Sequence, residues 1–336
     1  MHCAVSPAIL AFSACLLLPP GDTRWLAWLL YSMSHSVFDG GPLRETSGVP
    51  GALLTRSGDT NTQGIRSSYQ RACEMSLKIS LIISTYEQPV SLAKVLRGVS
   101  LQQRRPDEIF ITDDGSAEET RALIEHWRQE ASAPAHHLWH AHEGFRKTKL
   151  LNQAVAAATG KYLVFLDGDC VPHEKFIADH ERLAEQGFWV QGRRCYVEQR
   201  FVPQFEPGIS SILGWVLTHR IRGVAKAVRL PRPIVLRNKK QRGIIGCNMA
   251  FWREDVLAVN GFDESFLGRG IGPDSDLGTR VYNLGRPRKF VYGHAVVYHL
   301  DHPVMPRDNL AAKKQWLAET IRTGKTRCEL GLEQYF

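Results

Sequence analysis

Apolar residues fall into two rhythms along this chain. Ile79 to Ser84 and Tyr162 to Leu166 are short, nearly unbroken apolar runs, the pattern of fully buried strands. Glu108 to Thr112 reads as a further strand, and Leu138 to His140 as a shorter one. Between them the spacing changes. Ser91 to Gln102 places Leu92, Val95, Leu96 and Val99 at helical intervals. Glu118 to Glu130 opens with acidic residues, as the helix dipole favours. Leu150 to Ala158 is a helix with Gly160 in the C-cap position.

Strands alternating with helices at this spacing predict βαβ units and a parallel sheet. The expected fold class is therefore α/β, a Rossmann-like, mostly parallel sheet with flanking helices. Ligands of such sheets lie beyond the carboxyl ends of the strands. Three strand ends deliver Thr85-Tyr86, Asp113-Asp114 and Asp167/Asp169 to that edge. Asp167-Gly168-Asp169 sets two carboxylates one glycine apart after a buried strand, which suits a hard divalent cation bound through oxygen. Each acidic pair alone also reads as an ordinary turn; their shared edge favours a site.

Residues 1–74 read differently. Ala8 to Leu18 and Trp25 to Tyr31 are apolar stretches too short to span a membrane. Asp39 to Gln70 is rich in Gly, Ser, Thr and Arg without a sustained period, the pattern of disorder. Met75 stands directly before the first strong strand, so it is the expected natural start, with residues 1–74 an extension or poorly ordered tail. A folded domain is expected over 75–305. Over 306–336, an amphipathic helix from Leu310 to Ile321 precedes a tail.

Composition narrows the class. Hydrophobic residues make up 43% and charged residues 23%, ordinary for a soluble globular protein. Seven cysteines without a C-x-x-C spacing argue against a disulfide framework or zinc site and fit a reducing compartment. The expected location is the cytoplasm, peripheral to the inner face of the membrane. A net charge of +8 points to an anionic partner. Much of it lies in residues 220–242, where Arg220, Arg222, Lys226, Arg229, Arg232, Arg237, Lys239, Lys240 and Arg242 occur without an acid. That segment reads either as a solvated basic loop or as a surface for anionic lipid headgroups or a phosphorylated lipid-linked acceptor. Nucleic acid is not expected, because aromatic residues for base stacking are sparse there. His136, His137, His140 and His142 cluster in sequence but read as a strand edge and loop rather than a metal site.

Several stretches together resemble the family 2 inverting glycosyltransferases of the GT-A nucleotide-sugar fold. They are Ile83-Ser84-Thr85-Tyr86, Asp113-Asp114-Gly115-Ser116, Gly144-Phe145-Arg146-Lys147 and Phe165-Leu166-Asp167-Gly168-Asp169. Gly246-Cys247-Asn248, Asn260-Gly261-Phe262-Asp263-Glu264, Pro273-Asp274-Ser275-Asp276 and Tyr298-His299-Leu300-Asp301-His302 follow in family order. The second half also looks like a galactosyltransferase-type C-terminal segment of polysaccharide and lipopolysaccharide enzymes.

The resemblance implies a role for each position. Thr85, Tyr86 and Glu87 would line the base and ribose pocket, and Asp113 or Asp114 would accept a hydrogen bond from the base of a UDP-sugar. Arg146, Lys147 and Lys149 would supply basic contacts, and Gly246 and Asn248 would join the nucleotide-sugar site. Asp169, with Asp167, would hold Mn²⁺ or Mg²⁺, and His299 or His302 would complete the metal site. Imidazole among carboxylates favours Mn²⁺. Asp274 matches the family's general base, with Asp276 as its competitor. The implied partners are a nucleotide-sugar donor and a glycan or lipid-linked acceptor.

Two positions depart from the family. Arg269 stands where Trp is common, one residue is inserted, and Pro273 replaces a Glu. A sugar-nucleotide nucleotidyltransferase is the competing enzyme class, disfavoured because no glycine-rich loop follows the first strand. A catalytically inactive glycan-binding descendant is the non-enzymatic alternative.

Overall fold

The computed structural model describes residues 77–208, 212–238, 243–266, 272–303 and 310–336. The expected N-terminal extension lies outside these residues. The chain runs β1 (Ile79–Thr85), α1 (Pro89–Ser100), β2 (Glu108–Asp113), α2 (Glu118–Glu130), β3 (Ala135–Trp139), α3 (Lys147–Ala157) and β4 (Tyr162–Asp167). There follow β5 (Cys170–Pro172), α4 (Phe176–Leu183), β6 (Trp189–Gln191), β7 (Arg194–Val197), α5 (Ile212–Leu217), β8 (Ile221–Arg222) and β9 (Ile234–Asn238). The last described elements are β10 (Asn248–Trp252), α6 (Arg253–Ala258), α7 (Pro273–Asn283), β11 (Arg288–Tyr292), β12 (Val297–Leu300) and α8 (Leu310–Thr323).

One sheet has the order β3-β2-β1-β4-β10-β6-β11-β9. Its first four strands are parallel, and β10 enters antiparallel beside β4. Strand side chains alternate between faces, and each face has its own core. Ile79, Leu81, Ile83, Val164 and Leu166 pack on the α1 side, while Ile82, Leu163 and Phe165 pack with Leu151 and Val155 of α3. Because both faces are covered, these strands carry unbroken apolar runs.

A second sheet, β5-β12-β7-β8, stands beside the first. It is what brings the far end of the chain to the Asp-Gly-Asp turn. β12 pairs antiparallel with β5, setting His299 opposite Cys170, and Leu300 N–H donates to Asp169 O at 2.8 Å.

β3 and α3 start earlier than the sequence expectation. β3 begins at Ala135, its signal hidden by the histidines of a half-exposed edge strand. α3 begins at Lys147, because the polar Lys147-Thr148-Lys149 turn masks the helical period although Thr148 is buried. α7 begins at Pro273, whose fixed φ suits the first helical turn. β12 covers Val297–Leu300. Gly160 is not a helix cap: a Cβ there would meet Ser80 Oγ at 2.3 Å, so the glycine serves close passage of the chain beside β1. The cap is Ala158.

Candidate active site

A cavity of about 610 Å³ opens along the carboxyl edge of the parallel strands. Strand order fixes its layout. Thr85, Tyr86, Glu87 and Asp114 line the β1–β2 end; Lys147, Asp167, Gly168 and Asp169 line the part above β4; Arg194, Gly246, Asp274 and His302 lie toward β10.

At the β1–β2 end the two adjacent aspartates divide. Asp113 does not reach the cavity: fully buried, it accepts from Ser116 N–H at 2.9 Å and from His137 Nε2 at 3.3 Å. Asp114 is the acid that lines the space, held by His140 Nε2 at 2.8 Å and Arg146 N–H at 3.1 Å. His142 stacks on Tyr86 with ring centres 4.8 Å apart. These histidines are thus the positioning layer of the pocket, a role their sequence clustering alone did not reveal. Glu87 takes φ +45° and accepts from Ala117 N–H at 2.7 Å, which ties the loop after β1 to the start of α2.

Above β4, the Lys147 ammonium donates to Asp167 Oδ1 at 2.7 Å and Ser84 Oγ donates to the same oxygen at 3.0 Å. Burial works against the Lys147 charge, but Asp167, Asp274 and Asp169 outweigh it and raise its pKa. Asp167 is paired with Lys147, and the group of possible ligands that lie together among the described residues does not include it. That group is Asp169, His299 and His302, whose ligand atoms all lie within 4.8 Å of one another. His299 Nε2 and His302 Nε2 stand 3.4 and 3.2 Å from Asp169 Oδ2. The structure thus brings to Asp169 both histidines that the sequence offered as alternatives.

The donor set fits a divalent cation. His302 Nδ1 lies 2.9 Å from the Pro303 carbonyl oxygen, which only accepts; when the ring is neutral with its proton on Nδ1, Nε2 is an acceptor facing Asp169, and when the ring is protonated Nε2 donates to it. With the neutral ring two acceptors face one point, an arrangement that a cation or a protonated ring resolves. Burial opposes ionisation of Asp169, yet the His302 hydrogen bond and the His299 charge prevail and hold its pKa at about 2. Burial lowers the pKa of His299, while the hydrogen bond to Asp169 raises that of His302.

Asp274 and Asp276 lie two residues apart on α7, hence on different faces. Asp276 is buried away from the cavity, where Arg280 Nε donates to it at 2.6 Å and Thr320 Oγ1 at 3.3 Å. Asp274 lines the cavity, and among the described residues no side chain hydrogen-bonds or ion-pairs with it. Burial raises its pKa, opposed by Lys147, reinforced by Asp167 and opposed again by Arg194. Gly246 lies flush against it. Asn248 is not a cavity residue: its Nδ2 donates to Ala295 O at 2.7 Å and Arg193 O at 3.0 Å, joining the two sheets. Arg146 turns its guanidinium to Glu143 at 2.7 Å, and neither its side chain nor that of Lys149 lines the cavity.

The sequence model of Glycosyl transferase family 2 matches residues 80–256, more than half of the chain. The chain belongs to glycosyl transferase family 2. A second model, described as the N-terminal domain of galactosyltransferase, matches residues 236–303. An uncharacterised glycosyltransferase of Nostoc sp. is 35% identical over 100 residues, 29% of this chain and 30% of its own. The hyaluronan synthase of Pasteurella multocida is 24% identical over 247 residues, 67% of this chain and 25% of its own. The chain thus spans about a quarter to a third of the length of the curated relatives it matches. Among solved structures, S. aureus TarS 1–349 superposes with a TM-score of 0.52 at 14% identity, covering 77% of this chain and 68% of that one. GalNAc-T7, solved with UDP, GalNAc and Mn²⁺, gives 0.53 at 15% identity over 74% and 48%. The fold is GT-A.

In this member of family 2, the departure at Arg269 lies outside the described residues. Pro273 is the first residue of α7, so the position of the expected Glu has become a helix start. Three arginines of the basic segment pair with acids elsewhere in the chain: Arg229 with Asp179 at 2.7 Å, Arg237 with Glu185 at 3.1 Å, and Arg222 with Asp301. Lys239, Lys240 and Arg242 lie outside the described residues. No helix among the described residues is long and apolar enough to cross a membrane.

Proposed function

We propose that this family 2 enzyme transfers a sugar, with inversion, from a UDP-sugar to a hydroxyl of a glycan or lipid-linked acceptor in surface polysaccharide synthesis. Asp274 is the general base, and Asp169, His299 and His302 hold Mn²⁺ or Mg²⁺. The observation that carries this reading is the contrast among the aspartates. Asp113, Asp114, Asp167, Asp169 and Asp276 are each committed to a histidine, lysine or arginine. Asp274 alone among these six faces the cavity uncommitted, with the raised pKa that suits proton abstraction.

Inversion needs one in-line attack and one base, not the paired carboxylates of a retaining glycosidase. Asp274 takes the acceptor proton as the new glycosidic bond forms. A bound cation supplies Lewis-acid stabilisation of charge on the departing diphosphate. Lys147, held cationic beside Asp167, places a second positive charge in the same part of the cavity. Tyr86, stacked on His142, and Asp114 offer a flat face and an acceptor oxygen to a nucleobase. Support for UDP comes from the neighbours: TarS was also solved with UDP, and GalNAc-T7 with UDP and Mn²⁺. The two imidazoles favour Mn²⁺.

The test is Asp274→Asn assayed beside wild type. UDP affinity measured calorimetrically with Mn²⁺ stays near normal while transfer collapses, and NMR of the wild-type product shows the inverted anomer. Undiminished transfer by Asp274→Asn would remove the base assignment, and a retained anomer would remove inversion.

A further inference from the structure

Leu213 and Leu217 stand one turn apart on α5 and are 46% and 51% exposed, a pair of apolar side chains left on one side of a short helix. Beside them, Trp215 lies edge-on to Phe205 at 5.4 Å and to Phe201 at 6.5 Å, so α5 is seated on residues 199–208. Lys94 of α1 donates to Phe205 O at 2.8 Å and to Pro203 O at 3.3 Å, which ties that stretch to α1. Past the end of the same helix, Leu101 is 42% exposed and lies 3.1 Å from a methyl placed at Gly208. Exposed leucines therefore border residues 199–208 from both α1 and α5.

Cations surround the rings between them. The Arg200 guanidinium lies 4.7 Å from the centre of the Phe201 ring, and that of Arg220 lies 5.2 Å from the same ring and 5.3 Å from Trp215. Acids are fewer here. Glu206 pairs with Lys94 at 3.0 Å and stands 4.0 Å from Arg97; Glu198 pairs with Arg200 at 3.3 Å, and Asp301 with Arg222. Five cations thus share three carboxylates. The side chains of Arg97, Arg200 and Arg222 are exposed, so their pairs are screened and exchange readily with another anion.

This mixture selects its occupant. Leucines that project, aromatic rings at half depth and arginines at the rim match the headgroup layer of a bilayer, where anionic lipid attracts each cation. The place in the fold agrees. β8 follows α5 directly and is two strands from β12, which carries His299. At about 4.8 Å per strand, that separation is about 10 Å. The Arg222 guanidinium of β8 lies 5.5 Å from the Tyr196 ring, which lies 5.0 Å from that of His299. We propose that α5, with Arg97, Arg200 and Arg220, docks this protein on an anionic lipid bilayer. Docking there holds the active-site cavity close to the membrane surface, where a lipid-linked acceptor presents its hydroxyl; for that purpose, though not for the docking, the inference rests on the function proposed above.

The experiment sediments the full chain with vesicles of phosphatidylcholine alone, or of phosphatidylcholine and phosphatidylglycerol in equal parts. Binding to the anionic vesicles and not to the neutral ones is expected, weakening as salt is added. Leu213→Ser/Leu217→Ser lowers that binding by about tenfold or more, because two apolar side chains no longer enter the bilayer. Arg97→Gln/Arg200→Gln lowers it by roughly fivefold for each charge removed. All four side chains are exposed, and wild-type affinity for UDP with Mn²⁺ checks that the variants are folded. Wild type left in the supernatant with anionic vesicles overturns the proposal, and so do leucine variants that sediment as wild type does. Equal binding to neutral vesicles, or undiminished binding by the arginine variants, overturns the recognition of anionic lipid. Light scattering without lipid supplies the last check: a dimer that the leucine substitutions dissolve shows that a second copy covers this face, and overturns docking to lipid. Each of these failures leaves the donor reading standing, whereas wild type that does not bind UDP removes the donor reading and leaves the vesicle result intact.

Discussion

Gly246→Ala is a sharp test of the active-site geometry because it adds one methyl and no charge. Built on the existing backbone, that methyl lies 2.2 Å from Asp274 Oδ2 and 2.3 Å from its Cγ. Carbon–oxygen contacts settle at about 3.3 Å, so the carboxylate must retreat by about 1 Å. Gly246 is not in the left-handed region, so the backbone itself accepts alanine. A general base works within about 2.6–3.2 Å of the proton it removes. Misplacement by about 1 Å costs roughly 100-fold, or about 2.7 kcal/mol of barrier. The expected result is a kcat lowered roughly 100-fold, with UDP affinity changed by less than about threefold, because Tyr86, Asp114 and Asp169 are untouched. Transfer kinetics and calorimetric UDP binding, run on Gly246→Ala, Asp274→Asn and the double variant, make the assay. Both changes act through one carboxylate, so the double variant should be no slower than Asp274→Asn. A Gly246→Ala enzyme within about threefold of wild-type kcat would refute the reasoning, as would UDP affinity falling in step with kcat.

Burial raises the Asp274 pKa and Lys147 partly offsets this, so the acid limb of the kcat–pH profile should lie above the ordinary carboxylate value of 3.8. Activity needs the ionised form and is lost as pH falls; Lys147→Gln removes a charge favouring that form and should move the limb to higher pH, and a limb moving lower would contradict the assignment. His302→Ala or Asp169→Asn should weaken Mn²⁺ binding, read by calorimetry, by at least about tenfold, whereas Asp167→Asn should weaken it less. Glu108 is buried and accepts from Ser80 Oγ at 2.6 Å, Thr159 N–H at 2.7 Å and Gly160 N–H at 2.9 Å. Burial opposes its charge, but these bonds prevail and lower its pKa below 4.5. That contribution is present above the unfolded pKa and disappears as pH falls through the folded one. Glu108→Gln should therefore lose about 1–3 kcal/mol at pH 7 in urea unfolding. The deficit should narrow below pH 4.5, and a deficit independent of pH would show that charge is not its source.

What the sequence made legible was local in origin. Ile79 to Ser84 and Tyr162 to Leu166 announce buried strands because both faces of the sheet are covered, and acids directly after such runs must emerge at its edge. Which acid faces the ligand depends on relations that no single stretch contains. Asp113 and Asp114 differ because β3 brings His137 to one and the following loop brings His140 to the other. Asp274 and Asp276 had to separate, being two residues apart on a helix. Only the burial of Arg280 against Asp276, with its Nη1 bonded to Val259 O at 2.6 Å, decides which one turns inward. The same limit applied to charge. Residues 220–242 carry a cationic excess in composition, yet Asp179, Glu185 and Asp301, distant in sequence, cancel part of it. Net charge along a segment is therefore a poor guide to where an anion binds.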